Sequence, residues 1–154
     1  MYPLQHLILG TIFSAVLLFL FSNIGMIGFL LIFTSSILID IDHYIYYVYK
    51  KKDWNLRNAY KWFVENERRI LSLPRKKRNE YYSGFVFLHG FDLVILLFLL
   101  SIFINKYLFF VGIGFAFHLI LDIVGESRYI KRIDKFSLLY DFFKFKKLRI
   151  IKEE

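Results

Sequence analysis

"HGFDLVILLFLLSIFINKYLFFVGIGFAFHLILD", His89 to Asp122, decides how the chain is read. Two apolar runs flank Asn105–Lys106, a connector so short that it predicts an antiparallel helical hairpin. Each run nears the roughly 20 residues that a helix needs to cross a bilayer. Apart from Lys106, the ionisable side chains fall at one end of this hairpin. His89 and Asp92 stand early in the first run, His118 and Asp122 late in the second. Charge beside hydrocarbon is costly, so its placement at one end needs a reason.

The upstream sequence repeats the pattern. Apolar segments at Leu4–Phe21 and Ile24–Ile41 are joined by Ser22–Asn23, and the later pair runs over Gly84–Ile104 and Tyr107–Val124. These are 18 to 21 residues long. The first begins close to the N-terminus, but "MYPLQH" carries no Lys or Arg, so it reads as a retained membrane helix rather than a signal peptide. The whole is predicted to be all-α: an integral membrane four-helix bundle of two helical hairpins, with cytoplasmic amphipathic helices, in a single membrane domain over residues 1–154.

Composition agrees. Of the 154 residues 57% are hydrophobic, and the mean hydropathy is +0.47, too apolar for an ordinary soluble domain. Cysteine is absent, which excludes disulfides and thiolate metal sites. The net charge of +8 follows topology. Residues 44–83 hold eleven Lys and Arg, the segment after Gly125 holds nine, and Lys106 alone lies in a short connector. The positive-inside rule then puts both termini on the cytoplasmic side of the inner or plasma membrane. Topology and attraction to anionic lipid account for the basic balance, so no nucleic-acid partner is expected.

The basic segment 44–83 is more than a linker. Asp53 can cap a helix starting at Trp54. Leu56, Tyr60, Phe63, Val64, Ile70 and Leu71 recur at helical spacing, and Pro74 ends the pattern before "RKKR". This predicts amphipathic helices on the inner leaflet. The basic tail, residues 126–154, alternates apolar and basic residues and reads the same way.

All four histidines, His6, His43, His89 and His118, fall near the cytoplasmic end of their spans. At 1.5 Å per residue, His89 and His118 lie about 8–9 Å below the interface. Asp40 and His43 share a helix face by their i,i+3 spacing, as do His89 and Asp92, and His118 and Asp122 by i,i+4. Asp42 is off that stripe, either a ligand or a helix-end carboxylate. Each pair alone also reads as a polar helix end, an interhelical hydrogen bond or a step of a proton relay. Their convergence predicts a shared metal site of His6, Asp40, Asp42, His43, His89, Asp92, His118 and Asp122. Imidazole and carboxylate without thiolate suit a divalent metal, Zn²⁺ first and Mn²⁺ or Fe²⁺ next, as one or two ions.

The order "QHLILG", "ILIDIDH", a histidine opening the third span and "GFAFHLILD" resembles the YdjM-like family of inner-membrane-associated metal-dependent hydrolases. That family's pattern has a histidine before the first span, then L-P-D-I-D-H, a histidine-rich element, and G-x-x-S-H-x-x-x-D. His6 looks like the first. Asp40, Asp42 and His43 match D-I-D-H, and His118 and Asp122 match the last. Ile39 replaces the family's proline, and "FLHGFDL" has one histidine where the pattern has two, so Asp92 is a candidate for the missing ligand. The resemblance implies a hydrolase. By analogy with zinc-dependent phospholipase C it implies a phosphoester or lipid-type substrate at the cytoplasmic leaflet, attacked by a metal-activated water. Asp40 and Asp92 are then candidates for the catalytic base. The aromatic "YIYY", Tyr44–Tyr47, would hold the site at head-group level. Two other classes remain: a metal-ion or proton transporter, and a non-catalytic membrane adaptor with a basic surface.

Overall fold

The computed structural model describes residues 3–78, 80–82, 84, 86–129, 136–146 and 148–150. Helix α1 (Pro3–Leu20) starts on a proline, whose missing N–H loses no hydrogen bond in a first turn. A single 3₁₀ turn, Ser22–Ile24, and Gly25 at φ 62° reverse the chain into α2 (Gly25–Leu38). That positive φ is open to glycine without strain. A two-residue turn at Ile39–Asp40 leads into α3 (Ile41–Lys51). Lys52, in the left-handed region, ends it.

Helix α4 (Leu56–Ser72) is capped by Asn55, not Asp53. The Asn55 side chain accepts from the backbone N–H groups of Arg57 and Asn58. Asp53 ties the turn instead, accepting from the Tyr47 hydroxyl (2.6 Å), the Asn58 amide (2.9 Å) and the Asn55 N–H (2.9 Å). These bonds, the Tyr47 one foremost, hold its carboxyl below the usual range. The apolar face of α4 turns to protein rather than away from it. Phe63 meets the His43 ring edge-on at 5.0 Å, Trp62 packs near Tyr46 and Tyr47, and Ile70 is buried. Only Leu56 and Tyr60 of the predicted leaflet face are exposed. Past Pro74 comes a single turn, α5 (Arg75–Arg78).

The third apolar segment departs most from expectation. Its helix, α6 (Phe91–Phe103), is 13 residues long and begins seven residues after Gly84. Gly90 is extended, and the Leu88 N–H is taken by the buried Asp42 carboxylate at 2.8 Å. A tertiary acceptor thus replaces the helical one. Helix α7 (Tyr107–Tyr129) is longer than predicted, at 23 residues, and its first turn is closed by Asn105 Oδ1 accepting from the Tyr107 N–H. Helix α8 (Leu138–Phe145) docks on the start of α6: the Phe91 N–H bonds Phe136 O (3.0 Å), and Asp92 accepts from the Leu138 N–H (2.6 Å). Strands β1 (Tyr81–Tyr82) and β2 (Arg149–Ile150) pair in parallel for two residues. Of the predicted basic tail, Lys131, Arg132, Lys135, Lys147 and Lys152 lie outside the described residues.

Helix α2 packs on both α1 and α7, and α7 on α6. Small residues bring the backbones together, as in membrane helix packing. Gly10 faces Ser36, and Gly114 faces Ser35 and the backbone of Ile32. A methyl group on Gly114 would lie 2.5 Å from Ile32 O and 3.0 Å from Ser36 N. Backbone cannot yield as a side-chain tip can. Gly114→Ala is therefore expected to destabilise the bundle by about 1–3 kcal/mol, the usual effect of overpacking. A thermal or denaturant midpoint measured in detergent checks this, and a midpoint equal to the parent's would refute the close contact.

One buried cluster joins Ile39, Val94 and Leu119, with Phe91, Phe98 and Phe115 around them, and Ile32 is buried as fully on α2. The outside is apolar. Phe19 is 88% exposed, Phe103 81% and Ile102 74%. So large an exposed apolar surface marks contact with something other than water. Among the described residues, two helical runs are long and apolar enough to cross a membrane, Ser22–Lys51 and Tyr107–Arg128. Leu4–Leu20 and Phe91–Phe103 are shorter apolar helices.

Candidate metal centre

The cluster residues come from five parts of the chain. His6 stands in the second turn of α1, and Asp40 in the turn between α2 and α3. Asp42 and His43 open α3, His89 precedes α6, and His118 and Asp122 lie in the second half of α7. The bundle brings all seven together. Their rings form a continuous row: His6 stacks on His118 at 3.9 Å, His118 meets His89 at 5.2 Å, and His89 meets His43 at 4.7 Å.

All four rings are hydrogen-bonded, His6 through Nε2 to Asp122 Oδ1 at 3.1 Å and the other three through Nδ1. His118 Nδ1 lies 2.7 Å from Ser36 O, a carbonyl that can only accept, so Nδ1 carries the proton. His89 Nδ1 is 3.0 Å from Asp42 Oδ2 and donates likewise. In the neutral imidazole each Nε2 is then a lone pair. Both Nε2 atoms are buried without a hydrogen-bond partner, as is His6 Nδ1. Orphaned buried polar atoms are rare and point to a missing ligand or ion.

What faces those lone pairs is carboxylate. His89 Nε2 is 3.3 Å from Asp40 Oδ1 and 3.6 Å from Asp122 Oδ2. His118 Nε2 is 3.4 Å and 3.7 Å from the same two oxygens. These distances exceed the 2.7–2.9 Å or so of a charge-assisted N–H···O bond. Four ligands at about 2.0–2.2 Å from a tetrahedral ion would stand about 3.3–3.6 Å apart. The spacing fits an ion better than a proton. Two triads can hold one: His6, His118 and Asp122, all buried, and Asp40, His43 and His89. Asp40 Oδ1 lies between them, also 3.6 Å from His43 Nδ1. Only Asp40 and His43 keep some exposure, 28% and 23% of their side chains, so the cluster opens on their side.

Two carboxylates differ from their sequence reading. Asp42, left there between ligand and helix end, is fully buried and accepts from three donors: His43 Nδ1 (2.9 Å), His89 Nδ1 (3.0 Å) and the Leu88 N–H. It orients two of the rings, as carboxylates behind metal-binding histidines do. Asp92 does not join the cluster. Because the helix begins only at Phe91, His89 and Asp92 share no helical face, and the exposed Asp92 binds the Leu138 N–H. Sequence reasoning missed Ser36, whose carbonyl sets His118; a serine on an apolar helix carries no such signal.

Comparison with protein-family models, with curated proteins and with solved structures found no match.

Proposed function

We propose that the chain is a four-span integral membrane protein of the inner or plasma membrane, with both termini cytoplasmic, and a metal-dependent hydrolase of a phosphoester or lipid-type substrate. In this reading it is a divergent relative of the YdjM-like family. The observation that carries the metal is the pair of oriented, unpartnered Nε2 atoms of His89 and His118, set 3.3–3.7 Å from the Asp40 and Asp122 oxygens. The residues that hold it are His6, His118 and Asp122 on the buried side, and Asp40, His43 and His89 on the open side. Their chemistry suits Zn²⁺, Mn²⁺ or Fe²⁺.

A divalent ion there would supply Lewis acidity and lower the pKa of water toward neutrality. The chain's own part is positional. In this reading Asp40, partly exposed, would hold the ion by one oxygen and take the proton of the attacking water on the other. His43, beside it at the opening, faces the incoming ester. Asp42 fixes the His43 and His89 rings. The basic residues of α3 and α4 draw anionic head groups toward the opening.

Transport fits less well. The buried hydroxyls beyond the cluster, Ser14, Ser35 and Ser36, bond carbonyls of their own helices (2.7–3.2 Å) and offer no onward polar path. The test is a panel of phosphoester lipids and their soluble head-group counterparts, presented to metal-loaded protein in vesicles. Release of phosphate or alcohol, abolished by Asp122→Ala, is expected. A protein that binds metal stoichiometrically yet turns over nothing in the panel would refute the hydrolase reading.

A further inference from the structure

We infer that the His/Asp cluster lies inside the bilayer, about two helical turns below its polar boundary, and takes a lipid from the surrounding leaflet rather than a solute from the cytoplasm. The inference rests on the membrane reading above; it extends to the whole cluster the depth of about 8–9 Å expected for His89 and His118, in place of the head-group level expected from Tyr44–Tyr47.

The two longest helical runs measure the depth independently. Along α2 and α3 the outward side chains stay apolar past the cluster. Leu38, Ile41 and Ile45 are 58%, 48% and 45% exposed. The first exposed charge beyond Asp40 is Lys50, ten residues on. On α7, Ile120 and Val124 are 51% and 40% exposed, and the first exposed charge after His118 is Arg128, again ten residues on. From His43 and Asp122, the cluster members nearest those charges, seven and six residues of helix rise about 9–10 Å. On α1, Leu7 beside His6 is exposed too. Isoleucine and leucine in this number, outward at the level of a buried charge cluster, are at home in hydrocarbon and costly in water. Lys50–Lys52 and Arg128 fit the anionic head groups above.

The α6 side is more polar: the exposed Asp92 carboxylate accepts from the Leu138 N–H of α8, and Lys146 lies over the exposed Phe142 and Phe143 rings. The opening is set in the apolar belt. Asp40, the member with most exposure, sits in the chain between the outward Leu38 and Ile41. A ligand reaching it passes apolar side chains, which suits an acyl chain and penalises a hydrated solute. The ester or phosphate that meets Asp40 and His43 is then one carried by a lipid.

Because the chain has no cysteine, single-cysteine spin labels report without background. Labels are placed at Ile41, Ile45 and Val124, with Ile12 and Leu99 as mid-bilayer references and Lys61 as the aqueous one. The full chain is reconstituted in phosphatidylcholine vesicles with a minority of phosphatidylglycerol. Accessibility to oxygen is compared with accessibility to a water-soluble nickel chelate. Ile41, Ile45 and Val124 labels are expected to favour oxygen several-fold over the chelate, as at Ile12 and Leu99. If those three resemble Lys61 while Ile12 and Leu99 remain apolar, the depth inference fails and the membrane reading stands. If Ile12 and Leu99 are aqueous as well, both fail.

Discussion

Purified His118→Ala, reconstituted with Zn²⁺ or Mn²⁺, is expected to bind metal more than about 100-fold more weakly than the parent, beyond what loss of a supporting partner does. Its ring supplies one of the two oriented lone pairs and, like His89, touches both triads. Nε2 faces Asp40 and Asp122, while the ring stacks on His6 and meets His89. Elemental analysis after removal of excess ion, with chelator competition for the residual affinity, gives the answer. The substitution also leaves a cavity at a fully buried position, so helix content by circular dichroism must accompany it. Parent protein that carries no stoichiometric metal after reconstitution would end the metal reading outright.

Asp42→Asn is expected to weaken metal binding by about 10–100-fold, and Asp92→Asn to leave it unchanged. The carboxylate of Asp42 accepts on both oxygens, from His43 on one and from His89 and Leu88 on the other. An amide has one acceptor only. Its NH₂ must face a ring N–H, or that ring must shift its proton to Nε2, and for His89 this blocks the atom aimed at Asp40 and Asp122. Asp92 caps α8 instead, so its substitution should loosen the tail without touching the cluster. Isothermal titration of both variants with Mn²⁺ separates the roles. Equal losses in the two would mean that Asp92 supports the site and would contradict the arrangement described here.

These contrasts show where sequence reading reaches and where it stops. Apolar length, short connectors and one-turn spacings are local properties, so the helical hairpins and the Asp40–His43 and His118–Asp122 faces were legible. The start of α6 was not, because the acceptor for the Leu88 N–H is Asp42, 46 residues away in the chain. Asp92 misled for the same reason: its partner, Leu138, is again 46 residues distant. An amphipathic pattern also cannot say whether its apolar face meets lipid or protein. Phe63 and Ile70 of α4 carry the pattern and turn inward.

The two-residue turn between α2 and α3 has a consequence for the metal ligands. Asp40 N–H there reaches Ile37 O at 3.4 Å, three residues back. A continuous α-helix would direct it to Ser36 O, four residues back. That oxygen is the acceptor of the His118 proton. Helix continuity would therefore bring a second donor to the carbonyl that orients His118, and its two lone pairs take both only if each donor finds its own direction. A substitution near Ile39 that straightened the chain would thus crowd the hydrogen bond that orients His118 without altering a single ligand.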